Sequence, residues 1–306
     1  MKRRQQGILT GMPFMANIAS RTFVDDLGRK LYLAKPPDRI VSLAPSVTEM
    51  AFALGAGDRL IAVTDFCDYP PEAAHKPKIG GTRPSLESLV TLKADLILSA
   101  RAFADPALVD KLERLKINVY VMEATTVEDV LSHLHTLGRM LERAPAATQL
   151  VAHMRRRIQH VKDRAAMLPR PRLLYVLNSQ PLMTVGPGSF IHQLIELAGA
   201  ENIGAVTGQA YPRISMEEVL KQNPDVIIFP VRDAESIPEP EQHRWQRWHG
   251  MTAVRTRRLY QIDSVLVNRP GPRIVEGLER VAGLLHPDPP DSPSSDSSAA
   301  PSSPSP

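Results

Sequence analysis

The 306 residues contain a single cysteine, Cys67. An internal disulfide and any multi-cysteine metal site are thereby excluded, and a lone thiol fits either redox compartment. Nothing around Cys67 reads as a protease or acyl-transfer signature. No run of eighteen apolar residues exists, so no segment has the length and hydropathy of a membrane-spanning helix. The excess of one sign of charge is small as well, 37 Lys and Arg against 33 Asp and Glu, for a net charge of +4. The densest basic run, "HMRRRIQHVKDR" at 153–164, lies in a helical pattern and reads as a solvated face rather than a nucleic-acid stripe. "VGPGSF" at 185–190 precedes a helix, but the P-loop and dinucleotide glycine patterns are both missing, as is a Gly-x-Ser-x-Gly elbow with triad partners. The nine histidines form no pair on opposed loops. His133, His135, His153 and His160 fall in helices, and His243 and His249 flank "RWQRW" in an expected surface helix. These absences weigh against an enzyme, a metal-ion carrier and a nucleic-acid binder.

What is present is a soluble composition, 43% apolar and 23% charged, at a length that allows two domains. Strand and helix signals alternate. "RIVSLAP" (39–45) reads as a buried strand and "SVTEMAFALGAG" (46–57) as a helix, with Ser46 and Glu49 as a capping box and Gly55 as its stop. After residue 170 the order begins again with "PRLLYVLN" (171–178). "PSLESLVTLKADLILSA" (84–100) and "RISMEEVLKQNPDVIIFP" (213–230) align without a gap: Ser85 with Ser215, Glu87 with Glu217, Asp95 with Asp225. Between the halves, residues 144–168 contain no glycine and no proline except Pro145, which suits a first helical turn. The expected fold is therefore α/β: two doubly wound, Rossmann-like lobes (21–143 and 169–286) joined by a single long α-helix (144–168). Residues 1–20 form a basic leader whose short apolar stretch is broken by Gly11 and Pro13, so a secretory signal and a mere unstructured leader are both open readings. No cysteine lies near it to carry a lipid. The stretch 287–306 is a Pro/Ser-rich spacer, expected to be disordered.

Three segments carry a resemblance: "RIVSLAPSVTEMAFALGAGDRLIAVTDFCDYPPEA" (39–73), "KIGGTRPSLESLVTLKADLIL" (78–98) and "LVNRPGPRIVEGLE" (266–279). Together, over roughly 21–286, the chain resembles the cobalamin-binding branch of the helical-backbone (class III) periplasmic solute-binding proteins of ABC importers. The resemblance implies a monomer in the periplasm with no catalytic cofactor. It would hold cobalamin or a related corrinoid between its lobes and deliver it to a permease dimer driven by ATPase subunits. Relatives in the same class carry haem, iron siderophores or metal ions. The imperfect leader keeps a cytosolic corrinoid-handling protein open as an alternative.

Ligand contacts are expected on loops at the carboxyl ends of the strands. Phe66 and Tyr69 offer rings to a macrocycle, or else pack on Pro70 and Pro71. Gly81 and Thr82 let backbone approach the ligand, or form a plain turn. Arg101 follows a strand and would project into the cleft. Tyr211 would stand opposite, and the last segment supplies Leu266, Asn268 and Arg269. His192, opening a helix, is either an axial metal ligand or a helix-start residue. Glu87 and Glu217 match the surface glutamates that the family presents to arginines of a two-fold permease. Local capping and dipole compensation explain the same residues without a partner. The chain departs from its relatives where Val265 and Leu266 replace an acidic residue or a tryptophan, and where "GGTRPSLE" lacks a stacking tryptophan.

Overall fold

The computed structural model describes residues 21–81, 84–232 and 237–287. The leader 1–20, Thr82 and the Pro/Ser-rich stretch from 288 onward lie outside these residues. The chain opens with an antiparallel hairpin, β1 (Thr22–Val24) and β2 (Lys30–Tyr32). Buried Asp25 fastens it to the body by accepting from the backbone N–H groups of Leu27, Arg29 and Val121. The N-terminal lobe continues with β3 (Ile40–Ser42), α1 (Pro45–Ala53), β4 (Leu60–Val63), α2 (Pro71–Ala74) and α3 (Leu86–Thr91). It ends with β5 (Leu96–Ala100), α4 (Pro106–Arg114), β6 (Val119–Met122) and α5 (Val127–Met140). Helix α6 (Ala144–Ala165) follows. The C-terminal lobe runs through β7 (Arg172–Tyr175), β8 (Asn178–Ser179), β9 (Leu182–Met183), α7 (Phe190–Leu197), β10 (Glu201–Asn202) and α8 (Met216–Gln222). It closes with β11 (Val226–Val231), α9 (Glu239–His243), α10 (Thr252–Arg255), β12 (Leu259–Asp263), α11 (Ser264–Val267) and α12 (Ile274–Leu285).

Each lobe contains a four-stranded parallel sheet, ordered β4-β3-β5-β6 in one and β10-β7-β11-β12 in the other. In both, the second strand of the set takes the edge and the first lies beside it, which is the doubly wound arrangement. Most positions of the central strands are apolar and buried because helices cover both faces. The repeat read in the sequence is physical down to single hydrogen bonds. Ser85 and Ser215 cap α3 and α8, each accepting a backbone N–H at 3.1 Å. Lys93 and Asn223 end these helices with φ of 47° and 45°. Asp95 then accepts from the N–H groups of Asp38 and Arg39 at 3.0 Å, and Asp225 from that of Arg172 at 2.8 Å. The two arginines reach the last carbonyls of the preceding helix alike, Arg39 at Leu92 (3.0 Å) and Arg172 at Gln222 (2.8 Å).

Helix α6 has 22 residues, about 33 Å at 1.5 Å per residue. Ala147, Val151, Met154, Val161 and Ala165 form its buried stripe, packed on α5 and α12. One core runs continuously from the inner face of the first sheet through α1, α5 and α6 to α7, α12 and the second sheet. The outer faces of the two sheets have separate cores. The lobes therefore share a packed middle layer, and Val127 N–H adds a hydrogen bond to Gln193 Oε1 across it at 2.6 Å. Among the described residues, no helix is long and apolar enough to cross a membrane.

Two local expectations are corrected. Ser46 and Glu49 form no capping box: α1 starts at Pro45 with Ala44 before it, Ser46 is buried, and Glu49 is engaged elsewhere. "RWQRW" is not a surface helix either. Helix α9 stops at His243, a 3₁₀ turn covers Arg244–Arg247, and Trp245 enters the core edge-on to Phe229 at 5.9 Å.

Candidate functional site

The loop after β4 is fixed from both sides. The Cys67 thiol is fully buried, 3.1 Å from Thr48 Oγ1 and 3.2 Å from Thr64 Oγ1. Lys78 Nζ donates to the Cys67 carbonyl at 2.8 Å and to those of Thr64 and Ala73 at 3.4 and 3.3 Å. With Cys67 pinned inward, its neighbours are turned outward: Phe66 is 46% exposed and Tyr69 42%. Gly81 lies against the Phe66 ring, since a Cβ there would sit 3.6 Å from Cε2. Arg101 opens the 3₁₀ turn at the end of β5 and is exposed. These groups share the carboxyl-terminal edge of the first sheet. Exposing a large aromatic side chain in full forgoes burial worth about 1.5–3 kcal/mol, and these two rings forgo part of it.

In the C-terminal lobe Tyr211 is 49% exposed. Its segment runs beside β9: Thr184 N–H donates to Pro212 O at 3.0 Å and Gly186 N–H to Ala210 O at 2.8 Å. Gly186 is required there because a Cβ would fall 2.3 Å from Gln209 O. Leu266 and Asn268 are placed differently from Tyr211. Asn268 Oδ1 accepts from the Tyr175 hydroxyl at 2.7 Å, and the Leu266 carbonyl lies against Gly277 of α12. Both of these contacts fall within the C-terminal lobe. His192 is committed inward as well, with Nδ1 2.9 Å from Asn202 Nδ2, and His133 is buried against Asp26 at 2.7 Å.

Sequence reasoning missed a charged clasp between the lobes. Glu49, only 3% exposed on α1, receives both Arg273 Nε (2.9 Å) and Arg273 Nη2 (2.6 Å) from the start of α12. Arg269 Nη1 stands 3.8 Å from the same carboxylate and 2.7 Å from Asp68 Oδ1. The Arg273 guanidinium also covers the Tyr69 ring, 3.8 Å from its centroid, so Tyr69 has one face occupied. Burial pushes the Glu49 carboxyl above the ordinary range, against the downward pull of Arg273 and Arg269. Arg273 is held above its ordinary value; burial opposes its charge, and the Glu49 carboxylate outweighs that. The available signal was a charged residue among the apolar positions of "SVTEMAFA", for which a capping role was the local explanation.

Glu87 and Glu217 occupy the first turns of α3 and α8 and are exposed. Among the described residues neither has an ion pair, whereas adjacent Glu218 is taken up by Gln222 at 2.7 Å and Lys221 at 3.7 Å. Neither glutamate lines either of two cavities. One of about 430 Å³ lies among α5, α6 and α7, bordered by Leu131, Arg155 and Gln193. The other, about 200 Å³, is inside the C-terminal lobe between Leu182, Met216 and Trp248. Phe66, Tyr69, Arg101 and Tyr211 line neither.

Residues 40–266 match the periplasmic binding protein family. A vitamin B12-binding protein of Vibrio cholerae serotype O1 is 32% identical over 258 residues, covering 83% of this chain and 91% of that protein. An uncharacterized ABC transporter substrate-binding lipoprotein of Bacillus subtilis is 28% identical over 275 residues, covering 87% of this chain and 86% of the other. The crystal structure of the periplasmic vitamin B12 binding protein of Vibrio cholerae aligns with a TM-score of 0.72 at 29% identity, over 82% of this chain and 97% of that one. The family match spans both sheets and the long helix between them, and the chain belongs to the periplasmic binding protein family.

Proposed function

We propose that this protein captures cobalamin or a related corrinoid between its lobes and hands it to the permease dimer of an ABC importer. The observation that carries the reading is the pair of exposed rings, Phe66 and Tyr211, each on a strand-end loop of its own lobe. Flat apolar faces suit a macrocycle, and strand-end edges are where doubly wound sheets take ligands. Gly81 admits close approach beside Phe66, and Arg101 supplies a charged contact. Tyr69, Leu266 and Asn268 shape the walls from behind. The resemblance to vitamin B12-binding proteins supports the choice of cargo. Lobes 21–143 and 169–286 rock about the 144–168 segment through a small angle, because the shared core and the Glu49–Arg273 clasp oppose wide opening. Glu87 and Glu217 make one contact each with the two permease subunits, and ATP hydrolysis on the associated subunits drives release. The protein works as a periplasmic monomer and catalyses no reaction.

Calorimetric titration of the purified chain with cyanocobalamin, and then with haemin, tests the cargo. Tight one-to-one binding of cyanocobalamin with weak haemin binding is expected. An absence of heat with cyanocobalamin overturns the corrinoid reading, and tight haemin binding replaces it with a haem carrier of the same family.

A further inference from the structure

Both tryptophans of the chain, Trp245 and Trp248, line a single cavity of about 200 Å³ in the C-terminal lobe. Trp245 is its floor, 5% exposed and packed on Phe229. Trp248 is half-buried on the wall, with the Arg247 guanidinium 5.4 Å from its ring centroid. Arg244 and Arg247 stand at the rim, exposed, and neither has a carboxylate partner among the described residues. The acid on the wall, Glu241, accepts a hydrogen bond from the Ser179 hydroxyl across the cavity. Two guanidinium groups against one engaged carboxylate leave a local surplus of positive charge over an aromatic wall. The walls come from segments that follow the carboxyl ends of β7 and β11, the edge where this lobe would meet a ligand. The segment carrying Tyr211 runs on to this cavity, where Ile214 N–H donates to Leu182 O at 3.1 Å.

We propose that this pocket is an anion subsite of the C-terminal lobe, in which Arg244 and Arg247 grip a phosphoryl group of the ligand held at Tyr211. Guanidinium groups suit this task because their donors match phosphate oxygens in pairs. The inference rests on the corrinoid reading and deepens it: the pocket selects corrinoids that retain their nucleotide loop, whose phosphodiester is the only anion of that side chain.

The test compares cyanocobalamin with dicyanocobinamide, which lacks the nucleotide loop, on the full chain and on the Arg244→Gln/Arg247→Gln double variant. Calorimetry is expected to show about a tenfold loss for cyanocobalamin and less than about twofold for dicyanocobinamide. Arg247→Lys alone, which keeps the charge but loses the paired donors, should bind cyanocobalamin with an affinity between those of the unaltered chain and the double variant. An equal loss for both ligands, or no loss for either, overturns the proposal. If the unaltered chain binds neither corrinoid, the cargo reading has failed, and the pocket is then judged separately. Both tryptophans report on it, so inorganic phosphate at constant ionic strength should shift their emission in the unaltered chain and not in the double variant. No shift in either protein overturns the subsite; a shift confined to the unaltered chain supports it for a different phosphorylated cargo.

Discussion

Replacing Arg273 by methionine should expose the energetics of the interlobe clasp. Methionine approximates the length of the arginine stem and removes the two charge-assisted bonds to Glu49. What remains is a carboxylate that is 3% exposed on a helix buried around most of its circumference. Breaking a buried pair in this way costs roughly 3–5 kcal/mol. Arg269, 3.8 Å from the same carboxylate, softens the loss, so the lower end, about 3 kcal/mol, is expected. For a chain of this size that corresponds to a fall of roughly 6–12 °C in Tm. The pH dependence identifies the cause. Burial already holds the Glu49 carboxyl above the ordinary range, and removing Arg273 removes its largest downward pull. A carboxyl whose folded pKa exceeds its unfolded value binds more protons in the native state. Its contribution to stability is therefore present at low pH and is lost as pH rises through the folded value. The Tm deficit of Arg273→Met should be large near pH 8 and much smaller near pH 5. Glu49→Gln/Arg273→Met, which buries no charge, should recover most of the loss. Thermal melts of the three proteins at both pH values decide the matter. A deficit of Arg273→Met that is the same at both, or a double variant no better than the single, refutes the reasoning.

Charge reversal at both Glu87 and Glu217 should abolish uptake in cells while leaving the calorimetric affinity for the ligand unchanged, because both carboxylates are exposed and line neither cavity. Loss of ligand affinity in that variant would remove the docking role. Within α12, Gly277→Ala and Gly283→Ala should have opposite effects on Tm. A Cβ on Gly277 would sit 2.2 Å from the Leu266 carbonyl oxygen, which is backbone and cannot yield cheaply, at a cost of about 1–3 kcal/mol or more. A Cβ on Gly283 meets nothing within 4 Å, so alanine should gain about 0.5–1 kcal/mol of helix propensity there. Similar shifts in the two variants would contradict this account of the α11–α12 contact.

The scaffold was legible because its determinants are local and occur twice. A serine before a glutamate, an aspartate eight positions on, and an apolar run after it specify a cap, an anchor and a strand within one short word. Asp95 and Asp225 do the same task with the same geometry, tying the start of a neighbouring strand to the end of a helix. The two small hairpins escaped notice for the opposite reason. β1–β2 is held by a buried aspartate bonded to Val121, and β8–β9 is two residues on each side. Neither has enough alternation to register as strand signals.

The site was legible only in part, and the division follows sequence separation. The strand-end positions of Phe66 and Tyr211 could be read because loops at strand ends follow from the α/β reading. Glu49 and Arg273 are 224 positions apart, and no spacing rule connects them. A capping box was the nearest local explanation for an acid three residues after a serine, and the tertiary partner overrode it. The same division separates what the two lobes share from what they do not. Caps, anchors and surface glutamates recur in register. The strand-end groups do not recur. Phe66, Tyr69 and Arg101 have no counterparts 130 positions later, and the C-terminal lobe brings Tyr211 and an arginine-tryptophan pocket instead. The proposed asymmetric ligand would require unlike walls, whereas the proposed two-subunit partner would require like contacts on the two lobes. A sequence that repeats its scaffold and varies its loops meets both demands with one fold.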